Sequence, residues 1–431
     1  MSSLSSLSSS LSKPTVWHEF SPLASASGAV NLGQGFPNWD PPGFVKQALK
    51  DAVDVPGPAV NQYCRSQCHL PLATALADEY KARPSWSHLP IDPLTNIVSS
   101  VGCTQVMYCA FRSLLSPGDE VLLLEPAFDI YASQVKLCGG EPRFCSLTTD
   151  LSAPLTSNDV FKFDWEKLEA AITEKTRVLV LNTPHNPTGK MFSMPELSRI
   201  AEMVEAHPNL LVFSDEVYEH MVYDDASSPH ISFATLPGMW DRTLTLSSAG
   251  KTFSTTGWKV GWGVGPEHII KKMTDLQNWV CFSAPSVTQE AIARSLVRAR
   301  QPYLEYSSFY AWLADDYRRK RAILTEHLAS VGLTPISPQG GFFICADSSS
   351  ITCPDSVYHE PSLSAPQPMP RDWALARHLT QTVKVAAIPP SPFYSPANVA
   401  EASHYLRFAF CKTDEELEEA GRRLREHLGA R

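Results

Sequence analysis

The chain has 431 residues, of which 43% are hydrophobic, so it is long enough to bury the core of a large domain and of a smaller one. Its net charge of -9 and its isoelectric point near 5.8 argue against nucleic acid or an anionic membrane surface as a partner. No stretch stays apolar over the length that a membrane-spanning helix needs, so we expect a soluble enzyme with no membrane partner.

Residues 1–16 form a segment rich in serine and leucine, in which Lys13 is the basic residue. This low-complexity composition predicts a disordered tail. Organelle transit peptides are normally rich in arginine, so a cytoplasmic location is favoured, with mitochondrial import as the alternative.

The ten cysteines are scattered without the spacing of a disulfide framework. Cys64, Cys68 and His69 form the one tight cluster of metal-ligand types. A second Cys/His pair at the usual spacing is absent, so we expect free thiols in a reducing compartment and no metal.

Short apolar runs alternate with helix-like segments between residues 96 and 265, which is the pattern of an α/β domain with a mostly parallel sheet. Ligands of such sheets bind beyond the carboxyl ends of the strands. We therefore expect a pocket where polar residues follow the runs, at 102–104, 125–126, 182–184, 215–216 and 247–248.

A long helical stretch, Tyr303–Ser330, leads to a second region with strands near 341–344, 383–388 and 405–410, an exposed loop at 348–370 and a charged final helix from Asp414. This order predicts a smaller α+β domain. We expect an N-terminal arm and part of the small domain at 17–60, the large domain at 61–310 and the C-terminal small domain at 311–431.

Two of the predicted strand ends carry polar side chains that need an explanation. Two prolines and a glycine surround Asn186, so the chain must turn sharply there and present this amide, although an ordinary turn would look similar. Asp215 ends the next apolar strand, and Tyr218 follows shortly after it. An unpaired buried carboxylate is costly, so Asp215 needs a cation or donors; the alternative is a helix N-cap.

Lys251 is the strongest candidate for chemistry. It follows a short apolar strand at 243–247 and is surrounded by small residues, hydroxyls and glycines rather than by charged residues. Desolvation lowers the pKa of a lysine, and the neutral amine forms Schiff bases with carbonyl compounds. The alternative is a surface lysine in a loop.

Further motifs accompany the order Asn186, Asp215 with Tyr218, and Lys251. They are Asn31-Leu-Gly-Gln-Gly-Phe-Pro37, Asn61-Gln-Tyr63, Leu181-Asn-Thr-Pro-His-Asn-Pro-Thr-Gly-Lys190, Ser248-Ala-Gly-Lys-Thr-Phe-Ser-Thr-Thr-Gly-Trp-Lys-Val-Gly-Trp262 and Tyr405-Leu-Arg-Phe408. Together they resemble the class I and II aminotransferases of fold type I, in the branch of kynurenine aminotransferase, glutamine transaminase K and cysteine-S-conjugate β-lyase. The resemblance runs from Trp17 to the C-terminal helix. It implies a large α/β domain with a mostly parallel seven-stranded sheet and a smaller α+β domain.

The resemblance implies pyridoxal 5′-phosphate as the cofactor, joined to Lys251 as a Schiff base. Asp215 would pair with the pyridine nitrogen, and Asn186 and Tyr218 would hydrogen-bond the phenolic oxygen of the ring. Phe128 would stack on the ring, although without the family it reads as core. Residues 102–104 precede a helix whose N-terminal N–H groups suit a phosphate. The phosphate ligands would be Cys103, Thr104, Ser248, Lys259 and, from the second subunit of a homodimer, Tyr63.

For the substrate, the resemblance implies that Arg407 binds the α-carboxylate with two parallel hydrogen bonds. Gly35 would let the backbone approach the same group, beside Asn186. Without the family, Arg407 reads as an exposed residue at a strand edge. The pocket for the substrate side chain would be lined by Trp17, Phe282 and Tyr394, and aromatic walls favour bulky substrates.

Four positions depart from the pattern of the relatives: Cys68, His69, Cys103 and Ser283. By the resemblance they lie around the substrate entrance and the subunit contact. They therefore bear on specificity rather than on the reaction.

We expect ping-pong transamination from an aromatic or bulky amino acid, with L-kynurenine first and glutamine, phenylalanine, tryptophan and methionine as other donors, to a 2-oxo acid. Lys251, Asp215 and Tyr218 would be the catalytic residues. The sequence leaves β-elimination from cysteine S-conjugates open as an alternative. Ser248 and Lys251 also fit a Ser-x-x-Lys acyl-transfer motif, but the accompanying Lys-Thr-Gly is missing. The retained lysine, aspartate and arginine argue against a binding module without catalysis.

Overall fold

The computed structural model describes residues 14–223 and 229–429. The tail expected at 1–16 lies almost wholly outside these ranges, and the first helix already begins at Val16. The helices are α1 (Val16–Ser27), α2 (Gly43–Val53), α3 (Leu70–Lys81), α4 (Gly102–Leu114), α5 (Ile130–Leu137), α6 (Ser157–Val160), α7 (Trp165–Ala171), α8 (Met194–Ala206), α9 (Ala249–Thr252), α10 (Glu267–Val280), α11 (Ser286–Ala299), α12 (Phe309–Ala329), α13 (Asp355–Tyr358), α14 (Arg371–His378) and α15 (Asp414–Leu428). The strands are β1 (Val30–Asn31), β2 (Ile97–Val101), β3 (Glu120–Glu125), β4 (Glu141–Ser146), β5 (Thr148–Thr149), β6 (Phe161–Lys162), β7 (Thr176–Asn182), β8 (Leu211–Asp215), β9 (Thr243–Ser248), β10 (Val260–Val264), β11 (Thr334–Ile336), β12 (Phe343–Asp347), β13 (Val385–Ala386) and β14 (Tyr405–Ala409).

The central sheet of the described residues has seven strands in the order β2-β10-β9-β8-β7-β3-β4. Strands β9, β8, β7, β3 and β4 run parallel, whereas β10 is antiparallel to both of its neighbours. The predicted α/β class with a mostly parallel sheet is confirmed. The sequence analysis did not predict strands β4 and β10, because a proline interrupts the apolar pattern of β4 and glycines weaken that of β10.

Two hydrophobic layers enclose this sheet, because alternate side chains of a strand point to opposite faces. On one face Leu122 and Leu124 of β3 join the layer of α8, which includes Leu197. On the other face Val121 and Leu123 join the layer of α4 and α10. Burial on both faces explains why these strands read as continuous apolar runs, each fully buried Leu or Val contributing roughly 1.5–3 kcal/mol.

A smaller unit supplies a three-stranded antiparallel sheet in the order β11-β12-β14, and β1 pairs with β13 beside it. Helix α12 packs on α15 and on β11 and β12. The main-chain pairing of β14 with β12 carries Arg407 to the edge of the central sheet where its parallel strands end. The predicted α+β character of this region agrees with these elements.

Local expectations in the second region need three corrections. The helix expected at 303–330 begins only at Phe309. The strand expected at 383–388 is limited to the two residues of β13, because a π-helical turn, Leu379–Val383, continues α14. The loop at 348–370 contains α13, and several of its apolar side chains, Val357 among them, are buried, whereas Leu363 is 61% exposed.

The domain boundaries expected near residues 60 and 310 remain a prediction. Helix α2 packs on α11 of the expected large domain, whereas α1 contacts the π-helical turn and β13 of the small one. Throughout the two described ranges, every helix is too short or too polar to cross a bilayer.

Candidate active site

A cavity of about 310 Å³ lies at the edge where β2, β3, β7, β8 and β9 end. The strand ends bring together side chains that are distant in sequence, as the α/β pattern predicts. Of the residues singled out by the sequence, the following line it: Trp17, Gly35, Cys103, Thr104, Phe128, Asn186, Asp215, Tyr218, Ser248, Lys251, Lys259 and Arg407.

Lys251 projects into this cavity from α9, a single helical turn after β9. Its Nζ donates a hydrogen bond to the carbonyl oxygen of Gly35 at 2.7 Å and lies 5.3 Å from the ring centre of Phe342. Burial lowers the pKa of the Lys251 amine to about 8. About a tenth of the amine is therefore neutral at pH 7, which is the form that attacks carbonyl groups.

Asp215 is buried at the end of β8. Its Oδ2 accepts a hydrogen bond from the hydroxyl of Tyr131 at 2.6 Å, and Asn182 donates to its backbone oxygen at 2.9 Å. Burial raises the pKa of the Asp215 carboxyl to about 6, although the bond from Tyr131 opposes this rise. The carboxylate is therefore poised to accept a positively charged N–H group from a ligand.

Positive charge and the first N–H groups of a helix meet in another part of the cavity lining. Helix α4 begins at Gly102, whose φ of 77° suits glycine, and a β-carbon there would lie 2.8 Å from Nζ of Lys259. The Lys259 amine has no hydrogen bond or ion pair with any described residue. Gly261 of β10 allows the close approach, because a β-carbon on it would lie 2.1 Å from the amide nitrogen of Cys103. Such a cradle suits a phosphate group.

Arg407 is 1% exposed and reaches the cavity from β14. Its guanidinium donates to Oδ1 of Asn186 at 3.0 Å and to the carbonyl oxygen of Gly33 at 2.7 Å. Burial lowers the pKa of Arg407 to about 10, and its Nε lacks a hydrogen-bond partner among the described residues. A buried cation with an unused donor is suited to bind a carboxylate.

Aromatic rings form the walls around Arg407. The guanidinium carbon lies 4.1 Å from the ring centre of Phe343, 5.1 Å from that of Phe393 and 5.4 Å from that of Trp17. Phe128 lines another part of the cavity. Sequence reasoning missed Phe343 as a site residue, although it lies in the strand expected at 341–344. Weakly hydrated guanidinium groups pack well against such rings.

Phe36 and Tyr131 are among the other lining residues that the sequence analysis did not identify. Phe36 is part of the motif at 31–37, so its position in that motif could have indicated it. Tyr131 lies on α5, and no strand end or spacing signal points to it.

Three predicted site residues do not line the cavity of this chain. Tyr63 is 81% exposed, and its ring contacts that of Phe282, which is 53% exposed, at a centroid distance of 5.0 Å. Tyr394 is also absent from the lining. The roles expected for Phe282 and Tyr394 in the substrate pocket, and for Tyr63 at the phosphate of a neighbouring subunit, remain predictions.

A buried network supports the strand that precedes Lys251. Ser247 donates through its hydroxyl to Oε1 of Glu219 at 2.7 Å, and Arg83 forms an ion pair with the other oxygen of Glu219. Burial by itself would raise the pKa of Glu219, but the charge of Arg83 lowers it to about 2. The end of β9 is thus fixed by a charged carboxylate behind the cavity.

The cysteine and histidine cluster near residue 68 has partners within the chain. The Sγ atom of Cys68 lies 3.7 Å from Oε1 of Gln289, and His69 pairs with Glu290 through Nε2 at 2.9 Å. Both contacts join the start of α3 to α11. The free thiols expected from the sequence are all present as free cysteines in the described chain.

The site therefore combines a lysine of lowered pKa, a buried aspartate, a cradle suited to an anion and a buried arginine suited to a carboxylate on an α/β sheet, which is the arrangement expected of an aminotransferase. The family of class I and II aminotransferases matches residues 27–424, and the chain belongs to this family. The predicted family is confirmed, and membership implies pyridoxal 5′-phosphate as the cofactor.

Three relatives show where the chain falls in this family. The kynurenine–oxoglutarate transaminase of Dictyostelium discoideum is 44% identical over 414 residues, which are 94% of this chain and 92% of that protein. The structure of Bna3p from Saccharomyces cerevisiae is 30% identical, with a TM-score of 0.87 over 97% of both chains. YbdL from Escherichia coli, for which a methionine aminotransferase function has been identified, is 30% identical, with a TM-score of 0.82 over 96% of this chain and 97% of that one.

Proposed function

We propose that this aminotransferase moves the amino group of an aromatic or bulky amino acid, most favourably L-kynurenine, to a 2-oxo acid. The observation that carries the proposal is a single cavity in which Lys251, Asp215 and Arg407 converge between aromatic walls. The name of the Dictyostelium relative supports kynurenine as the donor and 2-oxoglutarate as an acceptor. Kynurenine use would place the enzyme in tryptophan catabolism.

The residues of the cavity fit both the phosphate and the ring of pyridoxal 5′-phosphate. The Lys259 amine and the amides of Cys103 and Thr104 at the start of α4 would hold its phosphate. Asp215 would hold its ring nitrogen. Ser248 would complete the phosphate site, Phe128 would cover the ring face, and Asn186 and Tyr218 would lie beside the ring oxygen.

When bound, pyridoxal phosphate supplies an aldehyde for amines and a ring that withdraws electrons. Lys251 would hold the aldehyde and, once displaced by the donor amine, take the proton from the donor α-carbon. Its lowered pKa of about 8 suits this exchange, since a general base works best near the ambient pH. The ring centre of Tyr218 lies 5.9 Å from Nζ of Lys251.

Arg407 would bind the α-carboxylate of either substrate through the edge of the guanidinium that carries the unpaired Nε. Asn186 already fixes one end of that guanidinium, and the backbone near Gly35 lies beside the carboxylate site. Trp17 and the neighbouring phenylalanines would then receive a flat side chain.

We further propose a homodimer in which Tyr63 and Phe282 serve the cavity of the neighbouring subunit. Both rings are exposed, contact each other and lie outside their own cavity, and Trp279 nearby in sequence is 89% exposed. Large exposed aromatic side chains are typical of surfaces that become buried in an assembly. Tyr63 would reach the phosphate and Phe282 the substrate side chain.

The proposal also includes the location of the protein and its division into domains. The composition of the N-terminal segment favours the cytoplasm, with mitochondrial import as the alternative. The chain divides near residues 60 and 310, so that the large domain holds the cofactor and the small domain carries Arg407.

The decisive experiment is to load the purified protein with pyridoxal phosphate, reduce it with borohydride and map the modified peptide. Label on Lys251 supports the proposal, whereas a protein that takes up no cofactor, or label on a different lysine, contradicts it.

A panel of donors and 2-oxo acids then ranks the substrates. Kynurenine should give the highest kcat/KM, and methionine ranks as the second candidate because of the likeness to YbdL. Release of pyruvate and ammonia from a cysteine S-conjugate without any acceptor acid would show β-lyase activity in the same site.

A further inference from the structure

A hydrogen bond joins the first helix to the large sheet beside the cavity. The indole Nε1 of Trp17 donates to Oδ2 of Asp129 at 2.9 Å. Trp17 lines the cavity, and so do Phe128 and Ile130, the two chain neighbours of Asp129. Asp129 itself is not among the residues that line the cavity.

The other contacts of α1 belong to the C-terminal region. Glu19 forms a buried ion pair with Arg377 and accepts a hydrogen bond from the hydroxyl of Ser362 at 2.6 Å. The ring of Phe20 packs edge to face on that of Trp373 at 5.6 Å. Helix α1 is therefore anchored to one unit of the fold, while its Trp17 end is tied to the other unit through Asp129.

The indole of Trp17 contacts two groups of opposite charge. Asp129 accepts its N–H, and the guanidinium carbon of Arg407 lies 5.4 Å from its ring centre. Burial raises the pKa of the Asp129 carboxyl above its ordinary value, although the hydrogen bond from the Trp17 N–H and the charge of Arg407 oppose this rise. A partly desolvated carboxylate accepts a strong and directional bond, which fixes the plane of the ring.

We propose that Asp129 is a positioning residue that sets the preference for aromatic donors by orienting Trp17. The inference rests on the proposed function. With its N–H bound to Asp129, the indole presents a flat wall next to the guanidinium that holds the α-carboxylate. Without this bond the ring can rotate, and an aromatic donor loses its stacking contact. A small donor such as alanine never makes that contact, so its reaction is unaffected.

The test compares Asp129→Ala with Asp129→Asn, which keeps an oxygen acceptor for the indole N–H. The first half-reaction is followed by the absorbance change of the cofactor-loaded enzyme with kynurenine, phenylalanine and alanine. We expect Asp129→Ala to lower kcat/KM for both aromatic donors about tenfold, mainly through KM, and to leave alanine within about twofold. Asp129→Asn should stay within about threefold of the wild type for every donor.

A double-mutant cycle with Trp17→Phe tests whether Asp129 acts through the indole. Phenylalanine keeps a ring but lacks the N–H donor, so Trp17→Phe alone should show a similar loss of aromatic preference. Asp129→Ala should then add no further loss in that background. If Asp129→Ala does not fold, the Trp17→Phe single variant still decides the matter, because an unchanged preference overturns the inference.

Failure of this inference differs from failure of the proposed function. A wild-type enzyme that reacts with no amino donor refutes the proposed function. A reactive wild type in which Asp129→Ala slows alanine as much as phenylalanine, or slows neither, refutes the role of Asp129 alone. The cofactor absorbance and the melting temperature of each variant identify a general structural defect, which would affect all donors equally.

Discussion

Replacing Asp215 with asparagine should stabilise the cofactor-free protein while it removes the proposed partner of the cofactor ring. Asp215 is 6% exposed, and burial raises the pKa of its carboxyl from 3.8 to about 6 despite the bond from Tyr131. One pKa unit corresponds to about 1.4 kcal/mol, so a rise of roughly two units costs the folded protein about 3 kcal/mol once the group ionises.

The pH dependence of this cost has a definite direction. Below pH 3.8 the Asp215 carboxyl is protonated in the folded and the unfolded chain, so it costs nothing. Between 3.8 and about 6 the unfolded chain releases the proton while the folded chain keeps it, so stability falls as the pH rises. Asparagine has no proton to release, and the Asp215→Asn variant therefore avoids the loss.

Differential scanning fluorimetry of the cofactor-free proteins from pH 4.5 to 8 measures the effect. The unfolding entropy scales with chain length, so about 3 kcal/mol in a chain of 431 residues corresponds to a shift of about 3 °C. We expect Asp215→Asn to melt higher than the wild type by about this amount at pH 7.5, and by less as the pH approaches 4.5. Asp78→Asn removes an exposed charge on α3 and should leave the melting temperature within about 1 °C.

Saturating pyridoxal phosphate should reverse the order at pH 7.5, because its ring nitrogen gives the wild-type carboxylate a partner that asparagine cannot replace. The reasoning is refuted if the cofactor-free variant melts below the wild type at pH 7.5, or if the difference between them does not change with pH.

Three further predictions concern the cavity. Cofactor-free enzyme should take up pyridoxal phosphate faster as the pH rises towards about 8 and then level off, because the neutral Lys251 amine is the reacting form; stopped-flow absorbance measures the rate, and a flat profile contradicts the lowered pKa. Arg407→Lys should lower kcat/KM for all donors roughly 10²-fold, since lysine cannot bind a carboxylate bidentately, and should leave the cofactor spectrum unchanged. Steady-state kinetics measures the effect, and an unchanged KM would contradict the role of Arg407 in substrate binding. Gly261→Ala should weaken cofactor affinity in a fluorescence titration, because its β-carbon would lie 2.1 Å from the amide of Cys103, whereas Gly257→Ala, with open space around it, should bind as the wild type does.

The sequence indicated the class of fold and the strand ends of the site because both follow from local patterns. Strands β3, β7, β8 and β9 are buried on both faces and therefore read as apolar runs. In such sheets the ends of the parallel strands share one edge, so Asn186, Asp215 and Lys251, which follow three of these strands, are expected at that edge. The roles of these residues depended on the resemblance to a family, since an ordinary turn or a helix cap gives the same local signal.

The rest depended on contacts between segments that no local pattern connects. Tyr131 contacts Asp215 across 84 positions of sequence, and Trp17 reaches Asp129 across 112. The position of Phe282 outside its own cavity likewise follows from the path of the chain between α10 and α11. Helix and strand periodicity determine which face of an element is buried, but they do not determine which distant side chain lies against it.

The two halves of the site are completed by different parts of the chain. The central sheet alone carries Lys251, Asp215 and the cradle at Lys259, whereas Arg407 arrives only when β14 has joined β12. Under the proposed function, retention of the cofactor and recognition of the substrate carboxylate therefore depend on two different sets of strand pairings. A substitution that loosens the pairing of β14 with β12 should consequently weaken substrate binding more than cofactor binding.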